Sequence, residues 1–572
     1  MPTVGVGEIK DHRMDNKEKK QTQPADYRIC GAYTRDLYVV FKKYDDNDRI
    51  KMSNLRLAFN DLQLFPSHSQ IQEMVHCAVE YGSPCDADHV TFGEFCVLVD
   101  ELQHHYEMGV HSDLPKSIIR RKNPGTSARR ARKESLANFQ VFLGGSCGCP
   151  KKPTTWRHDT AIPFLKKENI TFYNPQVNTW RPELIELEDR AKCVAELLFF
   201  VIDNNTRSVT SLCEIAYLVG CGRQIIVVFN GFLSHVEEVG LEKTSTRERE
   251  DIARARNVLM DIIERNSIPV FHDLESALKG TALHLKQGIK VQDLTLQQGA
   301  QPVKFGHVLV GEALLKLRES FNSITGSTEG KMSREDIRLG YRCYTGDDFS
   351  LSWLQHQRPG QTSFSFEEFC AIVTEYKRKR PSVASQVASK IVSPVTWLLG
   401  KLRGNSGPSD DIQEVYDIYL GGSCGEANWR EDVAIPLLKR EGVSFLNPLV
   451  TKWSDHLIPM QAAEREKCRM LLYVIADCTR AIGAMVEAAY YIGRGCRVTL
   501  CLEKLTPDTT VAGEQMTEAA LKDYSRSREY LSDMASREGA PVFENVNDSL
   551  ESIVKCVRKL HGTTDSKWLC RP

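Results

Sequence analysis

The sequence has almost no excess of charge, because 74 Lys and Arg residues balance 75 Asp and Glu residues to a net charge of −1. No overall field therefore favours nucleic acid or a lipid surface, so we expect neither direct nucleic-acid binding nor membrane association. No apolar run approaches the ~18 residues that span a bilayer. The N-terminal stretch MPTVGVGEIKDHRMDNKEKKQ also has no apolar core of signal-peptide length, which indicates a cytoplasmic protein, with the nucleus as a second location.

The 18 cysteines are scattered, and many lie inside apolar strand or helix patterns. Without an export signal, they indicate reduced and mostly buried thiols. One CGCP motif occurs at 147–150, but a second copy of the same region reads CGEA, so the repeat does not require a metal or redox pair there. We expect no cofactor, and no metal site beyond weak calcium candidates.

The chain contains a long internal repeat. VFLGGSCG at 141–148 returns as IYLGGSCG at 418–425, and from Trp156 and Trp429 onward the two copies align without a gap, 273 positions apart. A weaker repeat precedes each copy, since DHVTFGEFCVLVDEL at 88–102 resembles TSFSFEEFCAIVTEY at 362–376. A tandem duplication of a cassette, a small helical module followed by a larger domain, explains both repeats.

Composition shifts and the repeats divide the chain into eight segments. We expect a disordered N-terminus at 1–26, a helical module at 27–112, a basic linker at 113–137, a first α/β domain at 138–290, a second helical module at 291–380, a linker at 381–412, a second α/β domain at 413–562 and a tail at 563–572.

Short apolar runs alternate with helical periodicity in each larger domain. LLFFVID and QIIVVF read as strands buried on both faces, and TSLCEIAYLVGCG reads as a helix that ends at glycine. This alternation predicts two doubly wound parallel-sheet α/β domains, each preceded by a small all-α module.

The glycine loop lies at the end of the first strand, where ligands of such sheets bind. Its glycines would let backbone N–H groups approach a ligand closely, although a plain tight turn explains them equally well. The aspartates that end the strongest strand are at the same edge. The ligand-binding candidates are Gly144, Gly145, Ser146, Gly421, Gly422, Ser423, Asp203 and Asp477.

Glu214 and Glu487 occupy the first turns of the helix that follows the strongest strand. They would project toward the strand ends beside the glycine loop, where the positive helix N-terminus would keep them ionised. A positioned carboxylate can attack an anomeric carbon if a second group stabilises charge or moves protons. Candidates for that second group are Glu186, Glu188 and Asp189 in the first copy and Glu464 and Glu466 in the second. The alternative is a solvated charge at a helix start.

The combination of IYLGGS, ELIELED, LLFFVID and the glutamate-bearing helix resembles the nucleoside 2-deoxyribosyltransferase-like family, over both α/β repeats. The resemblance implies a flavodoxin-like or Rossmann-like fold, a nucleoside or nucleotide ligand, and N-glycosidic bond cleavage or transfer by a glutamate nucleophile. Members often complete their site across a subunit interface, which suggests an internal pseudo-dimer of the two copies. The cassette as a whole also resembles animal proteins of the Raw type.

Carried over residue by residue, the family pattern is incomplete in both copies. The nucleophile matches Glu214 and Glu487. The first-strand tyrosine matches Tyr419 but falls on Phe142, and the acid of the preceding helix matches Glu188 but falls on Gln461. An aspartate six residues before the nucleophile is replaced in both copies, by Ser208 and by Ala481.

The helical modules resemble EF-hands at their exit helices, EFCVLVDEL and EEFCAIVTEY. A calcium loop needs oxygen ligands at positions 1, 3, 5 and 12 and glycine at 6. Aligning Met52 with position 8 places Asp45 and Asn47 at two ligand positions but Arg56 at position 12. We therefore expect no strong calcium binding, with Asp45 and Asn47 as weak candidates.

Two functions follow from this pattern. The first is a regulatory or scaffold protein with degenerate nucleoside- or nucleotide-binding domains and with protein partners that the sequence does not identify. The second is an active N-glycosidase or deoxyribosyltransferase with catalytic candidates Glu214, Glu487, Glu188 and Tyr419. The incomplete family pattern favours the first.

Overall fold

The computed structural model describes residues 29–79, 89–107, 139–149, 152–177, 181, 184–230, 238–239, 242–303, 311–327, 330–379, 415–424, 427–450, 457–511 and 513–561. The segments that we predicted as N-terminus, linkers and tail, at 1–26, 113–137, 381–412 and 563–572, lie outside the described residues. In the described ranges, no helix combines the length and the apolar character that crossing a bilayer demands.

The first helical module contains two helix–loop–helix units joined by short antiparallel strands. Its elements are α1 (Ala32–Tyr44), β1 (Asp45–Asp46), β2 (Arg49–Lys51), α2 (Met52–Asp61), α3 (His68–Val79), β3 (His89–Thr91) and α4 (Phe92–Glu107). Ile50 lies opposite Val90 in the β2–β3 pair. Ile50, and not Met52 as the sequence alignment assumed, therefore occupies the central strand position of the first loop.

The first α/β domain is built on a six-stranded sheet, and two short hairpins, β5–β6 and β10–β11, lie outside that sheet. The strands of the domain are β4 (Val141–Gly145), β5 (Gly148–Cys149), β6 (Lys152–Pro153), β7 (Phe172–Tyr173), β8 (Leu197–Asp203), β9 (Ile225–Asn230), β10 (Glu238–Val239), β11 (Glu242–Lys243), β12 (Val270–Phe271) and β13 (Ala300–Gln301). Its helices are α5 (Ile162–Lys167), α6 (Leu184–Val194), α7 (Val209–Gly220), α8 (Thr246–Arg265) and α9 (Leu274–Gln287).

The strand order of this sheet is β7-β4-β8-β9-β12-β13. All pairs are parallel except β12–β13. Every residue of β8 is buried, as expected of a strand covered by helices on both faces. The antiparallel strand β13 extends the sheet beyond residue 290, where the sequence analysis had ended the domain. The pattern gave no signal for β13 because it is only two residues long.

The second helical module contains α10 (Glu312–Thr325), α11 (Arg334–Thr345), α12 (Leu351–Gln357) and α13 (Phe366–Lys379). Met332 forms an isolated antiparallel bridge with Phe364, the counterpart of the Ile50–Val90 pair. Helix–loop–helix units thus occur in both modules, and the EF-hand-like interpretation stays a prediction.

The second α/β domain repeats the first. Its strands are β14 (Tyr416–Gly422), β15 (Phe445–Leu446), β16 (Cys468–Ile475), β17 (Val498–Leu502), β18 (Thr510–Val511), β19 (Glu514–Gln515) and β20 (Val542–Phe543). Its helices are α14 (Ile435–Arg440), α15 (Leu457–Glu466), α16 (Ile482–Gly493), α17 (Glu518–Arg537) and α18 (Val546–His561). The all-parallel order β15-β14-β16-β17-β20 follows the same 2-1-3-4-5 winding as the first domain. The predicted fold class, two doubly wound α/β domains, is confirmed.

The two α/β domains pack together through α7 and α16, which carry Glu214 and Glu487. A Cβ atom at Gly220 would lie 2.3 Å from the Tyr490 carbonyl oxygen, and one at Gly493 would lie 2.1 Å from the Tyr217 carbonyl oxygen. These contacts are equivalent, since Gly220 and Gly493 align in the repeat. The same surface of each copy thus faces the other, as in a two-fold symmetric dimer.

The helical modules also contact each other reciprocally. On α4, Glu101 accepts hydrogen bonds from the backbone N–H groups of Gly311 (2.8 Å) and Ala313 (3.2 Å), at the start of α10. On α13, Glu375 accepts from the backbone N–H of Thr34 (2.8 Å), at the start of α1. Each exit helix therefore caps the first helix of the other module.

The first module also lies on the first α/β domain. Arg56 forms an ion pair with Glu264 of α8 at 2.6 Å, and the Ser69 hydroxyl donates to Asp261 of the same helix at 2.8 Å. The side chains of Asn60 and Gln301 exchange hydrogen bonds of 3.1 and 3.2 Å. Charged and polar contacts thus hold the module on both α8 and β13.

Candidate functional site

Glu214 and Glu487 lie at the interface between the two α/β domains, where residues of both domains line the space beside each of them. The sequence analysis expected them beside the glycine loops, and the charge of Glu214 does act on Cys147 of the first loop. Each glutamate is the sixth residue of its helix, α7 or α16. Glu214 is 8% exposed and the side chain of Glu487 is 14% exposed.

The Glu214 carboxylate is held by Lys192 of α6. The Lys192 ammonium contacts Glu214 Oε1 directly and lies 3.6 Å from Glu188 Oε2. Burial raises the pKa of Glu214, and Lys192 opposes that shift. Although burial opposes a charge on Lys192, Glu214 and Glu188 raise its pKa. We therefore interpret the pair as a buried ammonium shared between two carboxylates.

Arg465 of α15 holds the Glu487 carboxylate, with an N–O distance of 2.5 Å. The Tyr473 hydroxyl donates to the other oxygen at 3.5 Å. The Arg465 guanidinium also lies over the Tyr419 ring, 5.0 Å from its centroid. Burial raises the pKa of Glu487, and Arg465 opposes that shift. Tyr419 is thus placed beside the cation of this site, and burial raises the pKa of its hydroxyl as well.

Lys192 and Arg465 occupy the same position of the repeat, 273 residues apart. Each copy therefore places a buried cation against the glutamate that matches the family nucleophile. The sequence analysis considered only the acids of α6 and α15 and missed these cations. The signal was a basic residue kept at the same register in both copies, but its partner lies 22 positions further along the chain.

Each site is closed by a long helix of the other domain. On the Glu214 side, Tyr530 of α17 donates to Glu188 Oε2 at 3.1 Å. Arg537 of the same helix contacts Asp189 and Glu186, both at 2.8 Å. These interdomain bonds engage all three acids that the sequence analysis proposed as second catalytic groups.

The remaining space around both glutamates is small. The cavity beside Glu214, which Tyr217, Tyr530 and Arg537 also line, measures about 30 Å³. The cavity beside Glu487, lined from the first domain by Asp261 and Arg265 of α8, measures about 20 Å³. Since a single water needs roughly 10–15 Å³ on this scale, the first cavity has room for about two or three waters and the second for about one or two, and neither has room for a nucleoside.

The other acids proposed near Glu487 are each paired with a cation, and Glu466 and its partner Arg494 line the same cavity as Glu487. Glu464 binds Lys467 at 2.6 Å, and Glu466 binds Arg494 at 2.7 Å. Gln461, which replaces the acid of the first copy, donates to the Pro448 carbonyl oxygen at 3.3 Å. The structure therefore brings Glu188 to the first glutamate and brings no acid of α15 to the second by an ion pair or hydrogen bond among the described contacts.

The glycine loops have a structural reason for their glycines. A Cβ at Gly144 would lie 2.4 Å from the Phe200 ring, and one at Gly145 would lie 2.1 Å from the Val201 carbonyl oxygen. The Ser146 N–H donates to that same oxygen at 2.8 Å. Gly421, Gly422 and Ser423 repeat these relations against β16. The loops are therefore fixed on the neighbouring strand, and the Ser146 N–H is not directed at a ligand.

A buried arginine also holds each loop. Arg157 donates to the carbonyl oxygens of Leu143 (3.1 Å), Ser146 (2.7 Å) and Gly145 (3.0 Å). Arg430 makes the same three bonds in the second copy. Both arginines are 1% exposed or less. A guanidinium provides five donors in a fixed plane, which suits three carbonyl groups of one turn.

The loops that follow β8 and β16 differ between the copies. Asp203 is buried, and its carboxylate accepts from the Asn205 N–H at 3.0 Å and the Thr206 hydroxyl at 3.2 Å. Burial raises the pKa of Asp203, while these hydrogen bonds oppose the shift. Asp477 is exposed, and its N–H donates to Glu503 at 3.1 Å. The two aspartates are thus not equivalent, and Ala476 stands at the position of Asp203.

The residues that replace the family aspartate begin the glutamate helices. Ser208 and Ala481 are the N-caps of α7 and α16 and have left-handed backbone angles, with φ of 54° and 45°. The Ser208 hydroxyl bonds Ser146 at 2.7 Å and Thr206 at 2.6 Å. A cluster of hydroxyl groups therefore joins the glycine loop to the start of α7 in the first copy.

Of the two calcium candidates, Asp45 is engaged by a lysine and Asn47 by a neighbouring aspartate. Lys42 contacts Asp45 at 2.8 Å and Asp48 at 2.6 Å, and the Asn47 side chain donates to Asp46 at 3.1 Å. In the described residues, His, Cys, Asp and Glu side chains form no group of three that could hold a metal ion. The ammonium of Lys42 thus occupies the carboxylates of Asp45 and Asp48 that a calcium ion would have to bind.

The winding order, the glycine loop on the first strand and the glutamate on the helix after the third strand define a class of flavodoxin-like α/β domain. Residues 138–232 and 415–505 match the family model for nucleoside 2-deoxyribosyltransferase-like domains. The chain therefore carries two nucleoside 2-deoxyribosyltransferase-like domains in tandem, as the sequence analysis predicted. No curated protein matches the chain.

Proposed function

We propose that this chain is a non-catalytic regulatory or scaffold protein in which the two α/β domains form an internal pseudo-dimer. The observation that carries the proposal is the pair of buried cations, since Lys192 binds Glu214 and Arg465 binds Glu487. A glutamate nucleophile must present a free carboxylate oxygen to the sugar. At Glu487 both carboxylate oxygens are engaged, one by Arg465 and the other by Tyr473, whereas at Glu214 Lys192 engages one of the two.

The closed interface supports the same conclusion. Tyr530 and Arg537, from the second domain, occupy the acids on α6 that a glycosidase would need for proton transfer. Replacing these contacts by a substrate would break interdomain hydrogen bonds. We therefore propose that protein partners, still unidentified, use the outer surfaces of the paired domains. An intracellular location belongs to this proposal, because the described cysteines are free thiols.

The alternative is an active nucleoside or nucleotide N-glycosidase or deoxyribosyltransferase. One observation favours it: in the first domain Glu214 and Glu188 both lie beside Lys192, so two carboxylates and one proton-carrying group remain together. The second domain keeps Tyr419 but has Gln461 in place of the second acid. If the chain is an enzyme, Glu214 is the nucleophile to test first.

Base release distinguishes the two functions. The purified full-length chain is incubated with a panel of nucleosides and nucleotides, and free base is measured by chromatography. We expect no release above that of the Glu214→Gln and Glu487→Gln variants. Release that disappears in either variant would establish the enzyme and overturn the proposal. A thermal shift caused by one member of the panel, without release, would identify a retained ligand.

A further inference from the structure

The two glutamate sites are closed by equivalent helices, but only one of these helices is covered by a helical module in the described part of the chain. Helix α8 closes the Glu487 site, and α17 closes the Glu214 site. Asp261 and Glu264 of α8 are 5% and 0% exposed. Their counterparts 272 positions later are Asp533, whose side chain is 32% exposed, and Ser536, which is exposed.

The first helical module makes the cover on α8. Arg56 pairs with Glu264 Oε1 at 2.6 Å, and the backbone N–H of His68 donates to Glu264 Oε2 at 2.5 Å. The Ser69 hydroxyl donates to Asp261 Oδ1 at 2.8 Å. Glu264 is fully buried, and these two donors from the module each bind one of its carboxylate oxygens.

Asp261 links the module to the site. Its second oxygen accepts from Arg265 at 2.7 Å. Asp261 and Arg265 then line the cavity that also contains Glu487 and Arg465. Besides burial, the charge of Asp261 acts to raise the pKa of Glu487. A continuous series of polar contacts therefore runs from Ser69 to the edge of the Glu487 cavity.

The Glu214 site is closed without a module. Arg537 reaches across the interface to Glu186 and Asp189, and so binds α6 to α17 directly. The counterparts of these acids on α15 are Pro459 and Ala462, which offer Arg265 no carboxylate. Among the described ion pairs, none joins α8 to α15 at the second site as Arg537 joins α17 to α6 at the first.

We propose that the first helical module holds the Glu487 site closed by fixing Asp261 and Glu264 of α8, whereas the Glu214 site is closed by the α/β domains alone. A partner that displaces the module would loosen one site and leave the other intact. The inference rests on the proposed function in one respect, because it treats Glu487 as a structural group of the interface and not as a nucleophile.

Hydrogen exchange of the full-length chain tests the inference on two equivalent helices. The Arg56→Ala/Ser69→Ala variant removes the two side-chain contacts of the module to α8 and leaves the His68 N–H, the Asn60–Gln301 pair and both glutamates in place. We expect amides of 457–466, which carry Arg465, to exchange about tenfold faster or more, since ~1.4 kcal/mol of lost local stability gives that factor. Amides of 184–194, which carry Lys192, should keep the wild-type rate.

The matched control is Arg338→Ala, at the position of Arg56 when Met332 is aligned with Ile50; Arg338 pairs only with the exposed Asp348 among the described ion pairs. Faster exchange in both 457–466 and 184–194 would overturn the inference. So would unchanged exchange at 457–466 when α3 of the module, at 68–79, exchanges faster. If the double variant shows no thermal unfolding transition, the exchange of 457–466 and of 184–194 is compared in the single variant Ser69→Ala instead. Base release that disappears in Glu214→Gln alone would overturn the proposed function and leave this inference standing, whereas release that disappears in Glu487→Gln would overturn both.

Discussion

At the scale of single residues, the main feature of both glutamate sites is a buried cation on the preceding helix. A buried carboxylate is tolerated only when it is neutralised or paired. Lys192 and Arg465 supply that pairing from the same position of each copy, and each does so with a different head group.

Removing the cation of the first copy should cost stability. Lys192→Met keeps the volume of the side chain but leaves Glu214 buried beside Glu188 without a counter-charge. Breaking a buried pair in this way typically costs about 3–5 kcal/mol. We expect a loss of roughly 3 kcal/mol in the free energy of unfolding at pH 7, measured by urea denaturation followed by tryptophan fluorescence.

The double variant Lys192→Met/Glu214→Gln serves as the control for this prediction. It removes the uncompensated charge, so part of the lost stability should return. A Lys192→Met variant as stable as the wild type would mean that Glu214 gains a proton at no cost, and that the ion pair does not hold the interface.

Sequence reasoning found the glutamates but not their partners. Glu214 and Glu487 could be located because the repeat and the family pattern both mark them. Lys192 and Arg465 were equally visible in the ungapped alignment, but a cation on an amphipathic helix usually faces solvent. Arg157 and Arg430 were missed for the same reason, because the sequence does not show which backbone carbonyl groups lie close to a given side chain.

At the scale of secondary-structure elements, α7 and α16 have two functions in the fold. Each begins at the carboxyl edge of its own sheet, and each forms the central contact with the other copy. Gly220 and Gly493 let the two helix backbones approach closely near their C-terminal ends. A small residue at this point is therefore required by packing and not by backbone conformation.

A methyl group at this crossing should separate the domains. In Gly493→Ala the new Cβ would lie 2.1 Å from the Tyr217 carbonyl oxygen, which is backbone and cannot rotate away. Overpacking of this kind costs about 1–3 kcal/mol. We expect a lower thermal midpoint and faster hydrogen exchange across 209–220 and 482–493.

Gly483→Ala provides the comparison on the same helix, because its Cβ would meet only Val258 at an ordinary 3.8 Å. That variant should be as stable as the wild type or slightly more so, since alanine favours the helix. Equal effects of the two substitutions would show that the crossing tolerates a methyl group and that the domains are not held at this point.

The long, strongly patterned elements were predictable, and the short ones were not. Strands such as β8 are continuous apolar runs, so their existence and their central place in the sheet follow from the sequence. Strand β13 has two residues and one of them is Gln301, so no hydrophobic pattern marks it. The sequence alignment matched Met52 with Met332 because both residues are methionine. Strand pairing shows that Ile50, two residues earlier, occupies the position equivalent to Met332.

At the scale of the whole molecule, the duplication produces two reciprocal interfaces, one between the helical modules and one between the α/β domains. In the module interface, Glu101 of α4 caps the start of α10, and Glu375 of α13 caps the start of α1. Their environment differs from that of an ordinary cap, because both carboxylates lie between packed helices.

The Glu101 cap should make the stability of the molecule depend on pH. Burial raises the pKa of Glu101 from 4.5 to about 7, with Glu312 adding to the shift and Lys377 and the two backbone N–H groups opposing it. The folded state therefore holds the proton more tightly than the unfolded chain, so stability falls as the pH rises from about 4.5 to about 7. The fall from this group alone is at most about 3 kcal/mol, at 1.36 kcal/mol for each pKa unit.

Comparing variants over that pH range isolates this contribution. The free energy of unfolding of Glu101→Gln, which still accepts a hydrogen bond, should fall less than that of the wild type between pH 5 and pH 7. Glu107→Gln, at an exposed position of the same helix, should follow the wild-type curve. Parallel curves for all three proteins would mean that Glu101 titrates at its ordinary pKa.

The reciprocal contact between α7 and α16 has a consequence for how the protein behaves in a cell. Two separate subunits with such a surface would dissociate on dilution, and their pairing would vary with expression level. In one chain, the effective concentration of each copy around the other is set by the linker and is constant. Each copy can also accept substitutions that its counterpart does not share, so one interface can acquire two differently regulated sides.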